Sequence, residues 1–163
     1  MNAGEKSFSV SWDMFHGDTR RLAAQLAARG GFSAIVAITR GGLIPAGVIA
    51  RELGVRVIET ICVASYHAET ERGAIELLKP LTETILARPG AEVLIVDDLV
   101  DTGATAKAVR DLLPEAHFAT VYAKPQGRPL VDSFVREFAQ DTWVFFPWDT
   151  GLSFQPPLSG PER

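Results

Sequence analysis

Val93 to Thr105 reads VLIVDDLVDTGAT. Val93, Leu94, Ile95 and Val96 form an unbroken apolar run rich in β-branched side chains, the pattern of a strand buried on both faces. Three carboxylates come within the next five residues: Asp97, Asp98 and Asp101. Thr102, Gly103, Ala104 and Thr105 come after them, and Ala108, Val109, Leu112 and Leu113 then recur at helical spacing. The stretch is a buried strand, an acidic edge, a glycine turn and a helix N-terminus. Such a turn aims successive backbone N–H groups and two threonine hydroxyls at one point, where the helix dipole adds positive potential. That is a phosphate site. The aspartates beside it repel phosphate and must take hydroxyls or a cation instead. A ligand with a phosphate at one end, a diol in its middle and Mg²⁺ nearby satisfies all of these features.

Three other readings of the string fit less well. DDLVD matches the DDxxD of isoprenoid synthases, but that motif lies on a helix in a long all-α chain, and here a strand precedes it. Phosphatases of the haloacid-dehalogenase type need D-x-D after the strand, and Asp97-Asp98-Leu99 lacks it. A capped helix with surface acids explains neither the glycine turn nor the clustering of the three carboxylates.

The chain around it is ordinary in bulk. At 163 residues it is long enough for one domain with a sizeable core, and residues 1–163 are read as a single domain. A net charge of −4 argues against electrostatic nucleic-acid binding. The single Cys62 forms no internal disulfide, which suits a reducing cytoplasm. No apolar run approaches the length of a membrane span and no signal peptide is seen.

Taken in order, Phe8, Val10 and Trp12 alternate with polar residues and predict a short strand with one buried face. Asp18 is the expected N-cap of a helix over Thr19–Arg29, closed by Gly30. Ala34–Ile38 is a second buried strand, succeeded by Thr39-Arg40-Gly41-Gly42 and a helix Leu43–Leu53 with Gly54 as its stop. Val55–Val63 is a third strand, Ser65–Glu71 a polar loop, and Ile75–Ala87 a helix interrupted at Pro80. After the central strand and its helix to Leu113, Ala116–Ala123 is a fourth strand. Ser133–Ala139 and Thr142–Phe146 are shorter extended pieces, and the tail from Pro147 is irregular. Strands alternating with helices predict an α/β domain around a mainly parallel sheet, with ligands at the carboxyl ends of its strands.

The Val93–Thr105 string resembles the phosphoribosyl pyrophosphate (PRPP) binding loop of the type I phosphoribosyltransferases. The likeness runs on through VSWDMF, ITRGGL, AKPQGRPLVDSF, DTWVFFPWD and PPLSG, nearly the whole chain, and favours the xanthine-guanine branch of the purine enzymes. The resemblance implies a twisted, mainly parallel sheet flanked by helices, with a small hood formed by the terminal segments. It implies that Asp97 to Thr105, Leu99 and Val100 included, hold the ribose 5′-phosphate and hydroxyls, with Asp98 nearest Mg²⁺. Arg40 and Gly41 fall at the pyrophosphate loop, where the family's cis peptide is expected at Arg40–Gly41. Ser65, Tyr66 and Arg72 belong to a loop that closes over the reactants. Lys124 would donate to the purine O6, Trp143 would stack on the base and the Val144 backbone would meet the 2-position. Asp101 is the expected catalytic acid–base group, at the purine N7.

The same resemblance implies a role in purine salvage. PRPP reacts with guanine, xanthine or, less well, hypoxanthine, giving GMP, XMP or IMP and pyrophosphate, in a cytoplasmic homotetramer associated at most peripherally with the inner membrane face. Trp12, Trp148, His16 and His117 are expected to pack rather than react. A regulator that keeps the loop only to sense nucleotides while binding RNA or DNA would need a basic face, and this chain is acidic with scattered Lys and Arg.

Overall fold

In a computed structural model, which describes residues 6–65, 75–149 and 158–159, the central strand sits in the middle of a six-stranded sheet. The elements are β1 (Lys6–Ser9), α1 (Trp12–Arg29), β2 (Ala34–Ile38), α2 (Leu43–Leu53), β3 (Ile58–Ser65), β4 (Ile75–Lys79), α3 (Glu83–Leu86), β5 (Val93–Val100), α4 (Ala104–Leu112), β6 (His117–Ala123), β7 (Arg136–Glu137) and β8 (Thr142–Phe145). The sheet order is β4-β3-β2-β5-β6-β7, parallel throughout except for β4.

The unbroken apolar runs have a direct explanation. Alternate residues of β2 and β5 feed two separate cores, so neither strand has a wet face. Ile35, Ala37, Leu94 and Val96 pack with Phe15, Leu22, Leu26, Ala46 and Ile49 of α1 and α2. Ala34, Val36, Ile38, Val93 and Ile95 pack on the opposite face with Ala106 and Val109 of α4 and Ile85 of α3. Each fully buried Val, Leu, Ile or Phe among them contributes roughly 1.5–3 kcal/mol. A separate two-stranded sheet pairs β1 with β8 in parallel, with Phe8 opposite Val144, so segments near both ends of the chain form the small hood.

Several local expectations are corrected. Helix α1 begins at Trp12 and not Thr19; its N-cap is Ser11, whose Oγ accepts the Met14 N–H at 3.1 Å. Asp18 is therefore a buried residue inside the helix, where it accepts the Tyr122 hydroxyl at 3.0 Å and faces Arg136 at 3.6 Å. Its preference for a cap lost to a tertiary partner. Trp12 accordingly leaves the predicted first strand, which ends at Ser9. The third strand starts at Ile58, because Val55 to Val57 are spent leaving the left-handed cap at Gly54.

The helix expected over Ile75–Ala87 is absent. Ile75–Lys79 is instead an edge strand antiparallel to β3, and the helix in that interval is the single turn Glu83–Leu86, after Pro80. Pairing with the open edge of β3 overrides helix propensity there. Finally, β5 does not stop at Val96. Its ladder to β6 continues through Asp97 opposite Thr120 and Val100 opposite Ala123, so the paired acids lie on the strand itself.

Candidate active site

The carboxyl ends of β2, β5 and β6 converge, and the segment after each of these strands is polar. At the end of β5, Gly103 adopts φ 90°, ψ 1°, a left-handed conformation that non-glycine residues avoid, and Ala104 opens α4. A Cβ at Gly103 would lie 2.6 Å from Leu130 Cδ1 and 3.2 Å from the Gly127 Cα. The turn thus needs glycine both for its backbone and for its fit against the loop after β6. Asp101, Thr102, Gly103, Ala104 and Thr105, with Leu99 and Val100 behind them, line a cavity of about 130 Å³ at the N-terminus of α4. The N–H groups of that first turn, which have no partner within the helix, give it a positive potential suited to an anion.

Asp97 and Asp98 stand half-buried on the last part of β5. The Asp98 N–H donates to Asp97 Oδ1 at 2.9 Å, and the Leu99 N–H donates to Asp98 Oδ1 at 2.7 Å. Burial, reinforced by the neighbouring Asp98 charge, pushes Asp97 well above the usual carboxylate range. Burial also pushes Asp98 up to about 6, and the charge of Asp149 acts in the same direction. Two desolvated acids side by side favour whatever delivers positive charge or donates hydroxyl protons to them.

The turn after β2 presses on this pair. A Cβ at Gly41 would fall within 2.3–2.5 Å of the Asp98 carboxylate, and one at Gly42 within 2.4 Å of the Val96 carbonyl oxygen. Backbone approaches this closely only where there are no side chains. The cis peptide is at Thr39–Arg40, one residue before the expected Arg40–Gly41 bond. The reversal is already under way there: Thr39 N–H still completes the ladder to Ile61 O at 2.9 Å, while Gly42 N–H returns to Ile38 O at 2.8 Å. Arg40 is exposed at this corner.

Lys124 comes directly after β6 and is 5% exposed. Its Nζ donates to Asp101 Oδ2 at 2.8 Å, the partner a buried ammonium requires. Both residues were expected to face a purine; the structure pairs them with each other, and an ammonium keeps two further donors. One residue of this cluster, Gln140, is not singled out by the sequence pattern. Gln140 Nε2 donates to Asp101 Oδ1 at 2.7 Å, and its Oε1 accepts the Gln126 N–H at 3.0 Å. No periodicity or motif marks Gln140; only the return of the chain toward β8 brings it to Asp101.

In β8, Trp143 is 55% exposed with Phe145 6.4 Å away, whereas Val144 is buried. An indole that open has a face available for stacking. Trp148 packs as expected, stacked on Phe146 at 4.7 Å and edge-on to Phe15 at 5.0 Å. Trp12 contacts Trp148 at 6.0 Å but remains half exposed. His117 is held between Arg29 and Ser133, and His16 is exposed. Ser65 ends β3, while Tyr66, His67 and Arg72 lie outside the described residues.

A larger depression of about 560 Å³ opens between α1 and α2, lined by His16, Arg20, Gly47, Val48, Arg51 and Glu52. It is a solvated groove bridged by the Arg20–Glu52 ion pair at 3.3 Å, away from the strand ends.

Solved structures resemble this architecture over most of its length. A purine phosphoribosyltransferase from Pyrococcus horikoshii is 25% identical and superposes with a TM-score of 0.78, covering 92% of this chain and 98% of its own. A xanthine-guanine-hypoxanthine phosphoribosyltransferase from Helicobacter pylori is 23% identical with a TM-score of 0.69, covering 88% of this chain and 94% of its own. A hypoxanthine-guanine phosphoribosyltransferase from Bacillus anthracis is 25% identical with a TM-score of 0.61, covering 79% of this chain and 80% of its own. The phosphoribosyl transferase domain profile matches residues 11–155, which span β2, β5 and β6 with all the turns just described, and the chain belongs to that family.

Proposed function

We propose that the protein is a purine phosphoribosyltransferase of salvage metabolism. In this reading it transfers the 5-phosphoribosyl group of PRPP to N9 of guanine, xanthine and, less well, hypoxanthine, releasing pyrophosphate and GMP, XMP or IMP. One observation carries it: the Asp101–Lys124 pair at 2.8 Å stands at the start of the anion-binding turn, beside the half-buried Asp97–Asp98 pair.

This reading assigns each role to named groups. Backbone N–H groups and hydroxyls of Thr102 to Thr105 take the 5′-phosphate. Asp97 and Asp98 take the ribose hydroxyls, and the Arg40–Gly41 turn takes the pyrophosphate. Lys124 donates to the purine O6, a charge-assisted bond of about 1.5–3 kcal/mol that the 6-amino group of adenine cannot accept. Asp101 accepts from the imidazole side of the base, at N7, as N9 becomes nucleophilic. Trp143 stacks on the base, worth about 1–3 kcal/mol for an aromatic platform, and the Val144 backbone meets the 2-substituent. Since C1 of the ribose passes through an oxocarbenium-like transition state, positioning and charge stabilisation do most of the work.

Mg²⁺ suits the acids that are present. Burial pushes Asp97 and Asp98 toward protonation, a cost that a cation beside them relieves, and Asp98 is the carboxylate we assign nearest the ion. Among the described residues no three His, Cys, Asp or Glu side chains gather as a complete metal cage, which fits an ion that keeps waters and substrate oxygens as its main ligands. When bound, Mg²⁺ neutralises charge on the pyrophosphate. The same reading takes the protein as a cytoplasmic homotetramer; among the described residues no helix is long and apolar enough to cross a membrane.

The test is nucleotide formation from PRPP and Mg²⁺ with guanine, xanthine, hypoxanthine and adenine in turn. Turnover of guanine and xanthine with adenine inert is expected. Adenine used as well as guanine would remove Lys124 from the O6 site, and hypoxanthine used well with xanthine inert would overturn the proposed base preference.

A further inference from the structure

Asp101 is held on both sides. Lys124 donates to Oδ2 at 2.8 Å and Gln140 donates to Oδ1 at 2.7 Å, while the Asp101 side chain keeps 49% of its surface open. The orientation of the Gln140 amide is fixed by its other end. Oε1 accepts the Gln126 backbone N–H at 3.0 Å, so a flipped amide would aim its oxygen at a carboxylate and its NH₂ at another donor. Gln126 is itself anchored, because the tight turn from Lys124 to Arg128 closes on Lys124 O through Gly127 N–H at 3.1 Å and Arg128 N–H at 2.9 Å. Gly127 packs so closely on Asp101 that a Cβ there would lie 2.7 Å from the Asp101 carbonyl oxygen. The support under Asp101 is therefore a rigid turn, with Gln140 as the strut between them.

Lys124 cannot supply this orientation by itself. Its ammonium has three freely rotating donors, and the proposed reaction asks it to serve the base as well. A planar amide anchored at its oxygen gives one directed bond to one carboxylate oxygen. We infer that Gln140 is a positioning residue, setting the Asp101 carboxylate so that its remaining lone pairs face the base, and that the segment entering β8 fixes this acid as well as presenting Trp143. The inference rests on the role given to Asp101 under Proposed function.

Gln140→Ala and Gln140→Glu test it, with PRPP and guanine. Both should lower kcat by about tenfold or more with the KM for PRPP within about twofold of wild type. Glu keeps the acceptor for Gln126 but places a carboxylate against Asp101, so a residue that merely pinned the turn would leave Gln140→Glu near wild type. Toward about pH 5 the introduced carboxyl protonates and donates again, so the Gln140→Glu deficit relative to wild type should narrow while that of Gln140→Ala does not. Equal deficits of Gln140→Glu at all pH values, or a rise in the KM for PRPP with kcat intact, would overturn the positioning role. A readout free of turnover is the side-chain carboxyl ¹³C resonance of Asp101, which should move in both variants. If it superposes on wild type, the strut is wrong. If wild type forms no nucleotide from any base yet the resonance moves, the proposed function fails and the strut stands.

Discussion

Asp98 shares the electrostatic cost of the site with Asp97. Its carboxyl is pushed up to about 6 by burial, against an ordinary value near 4 in the unfolded chain. Between those two values the folded protein binds more protons than the unfolded one, so this group lowers stability progressively as pH rises through the window. Asp98→Asn removes the charge and also relieves Asp97, whose carboxyl is raised in part by it. The variant should therefore gain on wild type between about pH 4 and pH 7, by an amount on the order of 2 kcal/mol, in urea melts of the ligand-free protein. A stability difference that stays the same at both pH values would show that Asp98 is already neutral or already compensated. The acid is retained at this cost, in our reading, because the same charge binds the metal-bearing substrate.

At the scale of elements, the turn after β5 and α4 are one unit, joined at Gly103. Alanine there must adopt φ 90°, which costs about 1–2 kcal/mol, and its Cβ must displace Leu130 or the Gly127 backbone. Gly103→Ala should lower thermal stability modestly and weaken PRPP binding by about tenfold or more in calorimetric titration, with the circular dichroism spectrum retained. PRPP affinity equal to wild type would place the 5′-phosphate elsewhere. This turn was legible in the sequence because three local signals agreed: the apolar run, the glycine and the helical repeat. The Ile75–Lys79 segment was not legible, because IELLK satisfies a helical pattern as well as an edge strand and only the open side of β3 decides between them. Asp18 shows the same limit: as an N-cap it was plausible locally, and the distant Tyr122 and Arg136 placed it inside a helix.

Across the whole molecule, α1 and α2 close one face of the parallel sheet, α4 and α3 close the other, and the β1–β8 ribbon forms the hood near both chain ends. Strand–helix alternation was sufficient for the mainly parallel α/β sheet, since its central strands β2 and β5 declare themselves by being apolar on both sides, whereas the hood was implied only by the family resemblance. The strand, turn and helix start that carry the proposed site were legible where the residues are contiguous, from Asp97 to Thr105. It was less so where residues meet by tertiary closure: the Lys124–Asp101 pair, and Gln140 entirely. Such pairs have no sequence spacing to reveal them.

Phosphorus NMR of the protein with PRPP, Mg²⁺ and guanine is the decisive experiment, because it reports both halves of the transfer at once. PRPP should disappear as pyrophosphate and a nucleotide monophosphate appear one for one. PRPP that persists, or that breaks down to pyrophosphate and ribose 5-phosphate with guanine unchanged, would show that the chain is no purine phosphoribosyltransferase.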